Sequence, residues 1–151
     1  MIQRIQTVYL VLAAILLVLP NCLPLAYFEP AGMGLPAVMY STLELSGDRV
    51  ILSILPSALA VILVVTGGVT SIAIVGYKNR RSQMRYCSVA MIFNLLWIIA
   101  YAGITYYLKG EDTLRPCFAS CLPVIALILT WLARKAIKKD DDLVRSADRI
   151  R

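Results

Sequence analysis

Four long uncharged stretches alternate with short polar segments along the 151 residues of the chain. The uncharged stretches cover residues 5–28, 50–76, 86–108 and 117–133. At a rise of about 1.5 Å per residue, helices of these lengths reach about 25–40 Å, and the hydrocarbon core of a bilayer is about 30 Å thick. The pattern therefore predicts an all-α membrane protein, a bundle of four transmembrane helices.

The polar segments between these stretches predict breaks and turns. Pro20 and Pro24 remove backbone donors, so the first helix is expected to kink or loosen near residues 19–24. The first connector, residues 29–49, begins with prolines and glycines, and Ser46-Gly47-Asp48 predicts a turn. Residues 38–45 carry β-branched and aromatic side chains, which favour a short pair of strands on the outer surface. Residues 109–116 are expected to form a short outer loop.

One basic segment, residues 77–86, orients the whole chain. It carries four cations and no acid: Lys78, Arg80, Arg81 and Arg85. Lys and Arg near span ends stay on the cytoplasmic side of a membrane. With this segment inside, 12 of the 15 Lys and Arg residues lie in the cytoplasm, counting Arg4, these four and seven from Arg134 onward. The sequence thus predicts a multi-pass membrane protein with both termini in the cytoplasm.

Residues 134–151 form a charged tail after the last apolar stretch. Oppositely charged residues such as Lys138 and Asp142 are four positions apart, which favours a helical continuation of the fourth span. One interpretation is an extension that lies in solvent or on headgroups. The other is a docking handle for a partner protein. The candidate docking residues are Lys138, Lys139, Asp140, Asp141, Asp142, Arg145, Asp148 and Arg149.

The second and third stretches contain the residues expected to pack helices together. Gly67, Gly68 and Ser71 allow close approach of helix backbones in lipid. Asn94 falls level with Gly68 if these two spans form a hairpin, so its amide is expected to bond Thr66, Thr70 or a backbone carbonyl. The alternative role for Asn94 is the polar lining of a substrate or ion path.

Composition excludes several classes of protein. Hydrophobic residues make up 60% of the chain, and its mean hydropathy is +0.76, far above soluble domains. The net charge of +6 is clustered beside apolar stretches, which indicates membrane topology and contact with anionic lipid, and no nucleic-acid binding is predicted. The absence of histidine excludes His general bases and His-ligated metal sites. No cofactor or metal is predicted.

Three cysteines near the outer face are the only candidates for catalytic chemistry. Cys117 and Cys121 are four residues apart at the start of the fourth span, and Cys22 is expected at a similar depth. They could form a structural disulfide, act as a thiol-redox site or remain inert thiols. The C-x3-C spacing differs from the C-x-x-C of redox pairs. Cys87, near the inner face, is expected to serve packing alone.

Both ends of the chain carry a family resemblance. The opening M-I-Q-R-I-Q-T-V-Y-L-V-L-A-A-I and the closing R-K-A-I-K-K-D-D-D-L-V-R-S-A-D-R-I-R resemble small four-span Bacteroidota proteins catalogued as domain of unknown function 4293. The resemblance covers essentially the whole chain and implies a protein of the Gram-negative inner membrane. It implies no catalytic residues.

Two hypotheses for function follow from the sequence. The first is a non-enzymatic accessory or scaffold subunit of a larger membrane complex, for instance in secretion or translocation, which docks through its cytoplasmic tail and its outer loop. Its expected partners are membrane lipids and other membrane proteins. The second is a thiol-disulfide redox enzyme that uses Cys22, Cys117 and Cys121.

Overall fold

A computed structural model describes residues 2–29, 36–42, 44–46, 49–51, 54–109 and 112–149. All four predicted helices are present in it. They are α1 (Ile2–Val18), α2 (Ile54–Val75), α3 (Arg80–Lys109) and α4 (Leu122–Arg149). Each helix packs against two others, because α1 and α3 both contact α2 and α4. The helices therefore form a closed bundle.

A five-stranded antiparallel sheet covers one end of the bundle. The strands are β1 (Ala26–Glu29), β2 (Ala37–Met39), β3 (Glu44–Ser46) and β4 (Arg49–Ile51) between α1 and α2, and β5 (Thr113–Pro116) between α3 and α4. Their order is β4-β3-β2-β1-β5. We call this the sheet end and the opposite end, where α4 finishes, the tail end. The predominantly helical fold agrees with the prediction, whereas the sheet is larger than the predicted pair of strands.

The first helix is shorter than predicted. It ends at Val18, and a 3₁₀ turn, Leu19–Asn21, follows with Pro20 inside it. The break falls where the two prolines predicted it, because Pro20 cannot donate the next helical hydrogen bond. Residues 26–28, which were predicted to complete the first span, belong to strand β1.

Other predicted boundaries were also displaced. Val50 lies in β4 and not in the second helix, which begins at Ile54. A 3₁₀ turn, Gly76–Lys78, joins α2 to α3, so most of the predicted basic loop is the first two turns of α3. The fourth helix begins at Leu122 after a 3₁₀ turn, Phe118–Cys121. Hydropathy marks the part of a helix that contacts lipid, whereas hydrogen bonding continues through charged residues outside it.

The first connector contains more strands than the predicted pair. The prediction over residues 38–45 corresponds to β2 and β3, which pair with Val38 opposite Leu45. β2 also pairs with β1, and β1 pairs with β5 from the second connector. The two connectors therefore form one sheet. Within the predicted turn at residues 46–48, Gly47 and Asp48 lie outside the described residues.

Three helices are long and apolar enough to cross a membrane: Pro56–Val75, Arg80–Leu108 and Phe118–Val144. The apolar part of the first helix, Ile5–Asn21, is shorter. Large apolar side chains point outward, as with Val64 and Ile92, each 67% exposed. Soluble monomers rarely expose contiguous apolar surface on this scale. The exposed surface indicates contact with lipid.

Small residues and threonines fill the contacts between helices. The buried alanines within the four α-helices are Ala13, Ala73, Ala90, Ala126 and Ala133, with at least one on each helix. Small side chains let helix backbones approach closely in lipid. The buried hydroxyls of Thr66, Thr70 and Thr130 donate to carbonyls four residues earlier in their own helices. These bonds satisfy the hydroxyls without a partner from another helix.

The sheet is tied to the bundle by packing and by one backbone residue. Phe28 and Met39 are buried in the same apolar cluster as Trp97. Leu25 N donates to Met39 O at 2.8 Å. Its carbonyl accepts from Cys117 N at 3.0 Å and from the Tyr101 hydroxyl at 3.1 Å. Leu25 therefore connects the end of the first helical segment to β2, to α3 and to the segment before α4.

The packing of β1 on the bundle is tested by two neighbouring aromatic residues. Phe28 is 2% exposed and Tyr27 is 42% exposed on the opposite face. Phe28→Ala should cost about 3–5 kcal/mol because it leaves a cavity between sheet and helices. Tyr27→Ala should cost about 1 kcal/mol or less, since it loses only cross-strand contact. Unfolding in detergent, followed by intrinsic fluorescence, compares them. Equal losses would contradict the described packing.

Candidate functional site

A cavity of about 550 Å³ lies at the tail end, between α1 and the connection from α2 to α3. We call it the tail-end cavity. One wall is apolar and consists of Val8, Val11 and Leu12 from α1. These residues fall on one face because they are three and four positions apart in a helix. They are 40–54% exposed. The cavity therefore opens onto the side of the bundle that faces lipid.

The other wall of the tail-end cavity is polar. It includes Gln6 from α1, Tyr77 from the turn after α2, and Arg80 and Gln83 from α3. Gln6 is only 4% exposed and Gln83 only 3%. The Nε2 of Gln6 has no hydrogen-bond partner among the described residues. Buried polar atoms of this kind are rare in folded proteins because desolvation is costly.

Arg80 joins the tail-end cavity to the tail. Its guanidinium nitrogen lies 3.1 Å from Asp140 Oδ2. The side chains are 26% and 14% exposed, so the pair is partly shielded from water. Asp140 Oδ2 nevertheless makes no hydrogen bond of good geometry with any described residue. The contact is therefore a charge interaction whose N–H is not aligned with the oxygen.

The tail begins as part of the bundle and ends as an exposed helix. Ile137 is fully buried beside Leu10 and Cys87. Among the predicted docking residues, Asp140 contacts Arg80, and Asp141 is half-buried and interacts with another residue. Three others are exposed: Lys138, Lys139 and Asp142. The side chains of Arg145, Asp148 and Arg149 lie outside the described residues.

Basic and aromatic side chains surround the tail end. Arg81 and Arg85 are exposed, and the side chain of Lys78 lies outside the described residues. Lys135 Nζ lies 5.4 Å from the centre of the Trp131 ring, a cation–π distance. Amphipathic groups of this kind favour the level of lipid headgroups.

The predicted packing residues of α2, Gly67, Gly68 and Ser71, make no close helix contact with the described part of the chain. A Cβ placed on Gly67 or Gly68 would meet no described atom within 4 Å, and Ser71 is exposed. The Ser71 hydroxyl donates to Gly67 O within its own helix. The buried face of α2 carries Thr66, Thr70 and Ala73 instead. Packing through the glycines against another chain stays a prediction.

Asn94 is buried, at 2% exposure, and the predicted hydrogen bond from its amide to Thr66 or Thr70 is not seen among the described residues. Its Oδ1 has no hydrogen-bond partner among the described residues, and Thr66 and Thr70 donate along their own helix. Trp97 Nε1, one turn further along α3, is also unpartnered. The Trp97 ring stacks on Tyr101 at 5.3 Å, which fixes the ring.

The candidate redox cysteines, Cys22, Cys117 and Cys121, all lie at the sheet end. The turn before Cys22 packs against the turn that contains Cys121. Both of these cysteines are exposed, Cys117 is half-buried, and all are free thiols. Burial raises the pKa of the Cys117 thiol, which disfavours the reactive thiolate. No group of three His, Cys, Asp or Glu that could hold a metal occurs in the described part of the chain.

Sequence reasoning missed the polar wall of the tail-end cavity. Gln6 was counted as part of an uncharged stretch, although it falls at the spacing of the buried positions Leu10, Ala13 and Leu17. That periodicity was a usable signal for a buried amide. Gln83 and Tyr77 lie in the basic segment, residues 77–86, in which the sequence pattern singles out only the four cations. Their contribution to the cavity wall depends on α3 starting at Arg80, and hydropathy does not reveal that start.

Double-mutant cycles test the Arg80–Asp140 contact. Arg80→Gln and Asp140→Asn should show a coupling of about 1 kcal/mol, because the pair is partly buried. The matched control is Arg115–Glu29 at the sheet end, 3.0 Å apart but 67% and 44% exposed. Its coupling should be a few tenths of a kcal/mol and should vanish in high salt. Chemical unfolding in detergent measures both cycles. A weaker coupling at the tail end would contradict the shielding described above.

Comparison with known proteins places the chain in a family without an assigned activity. A search of curated proteins finds no match. A family model described as domain of unknown function (DUF4293) matches residues 2–150. That match confirms the family resemblance found at the two ends of the sequence. The chain therefore belongs to the DUF4293 family.

Proposed function

We infer that this chain is a non-enzymatic, four-span protein of the bacterial inner membrane that binds to a larger membrane complex as an accessory or scaffold subunit. The docking surface is the exposed part of the tail, which we call the tail surface. It comprises Lys138, Lys139, Asp142, Leu143 and Val144. Secretion or translocation assemblies are the kind of complex that such a subunit would serve.

The observation that supports this proposal is the rigid attachment of the tail. α4 is a single helix of 28 residues, about 42 Å long, which exceeds a hydrocarbon core of about 30 Å. Ile137 is buried and Asp140 contacts Arg80, so the helix is held as it leaves the bundle. Beyond that point Leu143 is 49% exposed and Val144 40%. Apolar side chains on a fixed, charged helix are suited to protein contact.

Four spans and cytoplasmic termini are part of the proposal. The short helix α1 packs along α2 and α4, which favours a crossing beside them. The cations are unequally divided between the two ends. Arg80, Arg81, Arg85 and the cations of the tail lie at the tail end, whereas Arg49, Lys109 and Arg115 lie at the sheet end. The positive-inside rule then puts the tail end in the cytoplasm and the sheet end in the periplasm.

Thiol-disulfide exchange is the second candidate function. It is favoured by the packing of the two turns that carry Cys22 and Cys121 at the end proposed to face the oxidising periplasm. The raised pKa of Cys117 counts against it. If Cys117→Ser and Cys121→Ser together leave the phenotype of the host unchanged, this function is excluded.

Cysteine labelling tests the orientation. A membrane-impermeant maleimide should label native Cys22 and Cys121 in intact spheroplasts, because both are exposed at the sheet end. In a cysteine-free background, Ile5→Cys and Ser146→Cys should be labelled only after lysis, since both positions are exposed near the tail end. Buried Cys87 is the unreactive control. Labelling of Ile5→Cys and Ser146→Cys from opposite sides would show three spans.

Purification from native membranes in mild detergent tests docking. The wild-type chain should co-purify stoichiometric membrane partners. Leu143→Asp with Val144→Asp should lose them without loss of stability, because both side chains are exposed. Truncation after Asp141 should act in the same way, since it retains the Arg80–Asp140 contact.

The control for that experiment is Thr113→Asp, which adds a charge at an exposed position of β5. It should retain the partners. If Thr113→Asp releases them and the tail variants do not, docking occurs at the sheet. A wild-type chain that purifies alone would overturn the docking proposal.

A further inference from the structure

We propose that the tail-end cavity binds one anionic phospholipid. Its phosphate lies against Gln6 and Arg80, and one acyl chain follows Val8, Val11 and Leu12. This lipid site is separate from the tail surface and needs no partner protein. It requires only that the bundle lies in a membrane, which the outward-facing apolar side chains indicate.

The first step of the argument is the unpartnered amide of Gln6. The side chain lines the cavity, is 4% exposed, and its Nε2 bonds nothing in the described part of the chain. A buried amide that lacks partners carries a desolvation cost unless another group accepts its hydrogens. Lipid tails offer no acceptor, whereas the oxygens of a phosphodiester do. A lipid phosphate would therefore supply the hydrogen-bond acceptor that Gln6 Nε2 lacks within the described protein.

The second step is the charge beside that amide. A guanidinium has five N–H donors in a planar fork that matches phosphate geometry, and the described contact of Arg80 with Asp140 is made by one terminal nitrogen. The residues that line the cavity include Arg80 and no acid, since Asp140 is not among them. The lining thus combines one cation with two glutamine amides. This set favours an anion over a zwitterion.

The third step distinguishes a lipid from a soluble phosphate. The volume of about 550 Å³ is within the range of about 300–1,000 Å³ for small-molecule sites. The apolar wall that α1 contributes opens sideways, at the end where Arg81, Arg85 and Tyr77 are exposed. A soluble phosphate would leave Val8, Val11 and Leu12 uncovered. A phospholipid covers both walls at once, and basic clusters at this level attract anionic lipid.

Native mass spectrometry of the detergent-purified full chain tests the site. The protein is delipidated and incubated with phosphatidylglycerol, phosphatidylethanolamine or phosphatidylcholine. One phosphatidylglycerol should bind in preference to the other two lipids, and it should raise the melting temperature. Arg80→Gln should weaken binding about tenfold, since a charge-assisted hydrogen bond is lost. Gln6→Leu should weaken it several-fold, and Val11→Trp, which fills the apolar part, should abolish it.

Matched variants separate the site from general effects. Asn94→Leu also removes a buried amide with an unpartnered atom, but Asn94 does not line the cavity. Arg81→Gln removes the neighbouring exposed cation, and Ile15→Trp adds the same bulk further along α1, where Ile15 is exposed. These three variants should bind phosphatidylglycerol as the wild type does. Melting temperatures without lipid identify any variant that fails to fold, and Gln6→Leu should not be destabilised because its amide nitrogen has no partner.

Three results would overturn the proposal. The first is equal binding of all three lipids, which means that the headgroup is not recognised. The second is unchanged binding by both Gln6→Leu and Val11→Trp, which would place the lipid elsewhere. The third is displacement of the lipid by millimolar glycerol phosphate, which would show a site for a soluble phosphate. Persistence of the lipid against glycerol phosphate supports the acyl contact.

Discussion

The hydrocarbon tails of lipids cannot accept or donate hydrogen bonds, and this constraint explains most of the architecture. Backbone groups within a membrane must therefore find partners within the chain. The constraint is most severe where Pro20 ends α1, because carbonyls and N–H groups are released there. Asn21 Nδ2 donates to Leu17 O, and Ser41 donates to Asn21 Oδ1. Leu25 then satisfies its N–H and its carbonyl through the sheet, through Tyr101 and through Cys117. The sheet thus supplies hydrogen-bond partners for the backbone that follows the break in the first helix.

The same constraint gives the two ends of the bundle different characters. At the sheet end, backbone pairing joins the two connectors, and the Arg115–Glu29 contact at its surface is exposed. At the tail end, side chains make the join, through Ile137 in an apolar cluster and Asp140 against Arg80. One end is therefore fixed by a hydrogen-bonded sheet and the other by a helix that continues beyond the bundle. A partner that binds the tail surface would meet a helix already fixed in direction, which lowers the entropy cost of docking.

Hydropathy predicted the helices and their order but not where they end. The uncharged stretches identify four helices because contact with lipid demands apolar side chains along each of them. The boundaries depend on backbone hydrogen bonds, so α3 starts at Arg80, before its apolar part, and residues 26–28 leave the first helix for a sheet. The sheet itself could not be predicted in full, since the partner of β1 is β5, more than 80 residues away in sequence. Among site residues, the cations were recognised from their charge. Gln6 was overlooked because its importance comes from burial, which only the spacing to Leu10 and Leu17 could have suggested.

Buried polar atoms that lack a hydrogen-bond partner differ in their surroundings, and the surroundings decide which of them could bind a ligand. Gln6, Asn94 and Trp97 each carry one such buried atom, and they are not equivalent. Asn94 and Trp97 lie one turn apart inside α3, where the cost is borne by tight packing and the Trp97–Tyr101 stack. Gln6 alone lines a cavity that also contains a cation and opens onto an apolar helix face. An amide nitrogen without a partner carries a desolvation cost there that an apolar residue of similar size would avoid. In the proposed lipid site the phosphate accepts a hydrogen bond from that nitrogen, and this connects the energetics of a single side chain to a ligand.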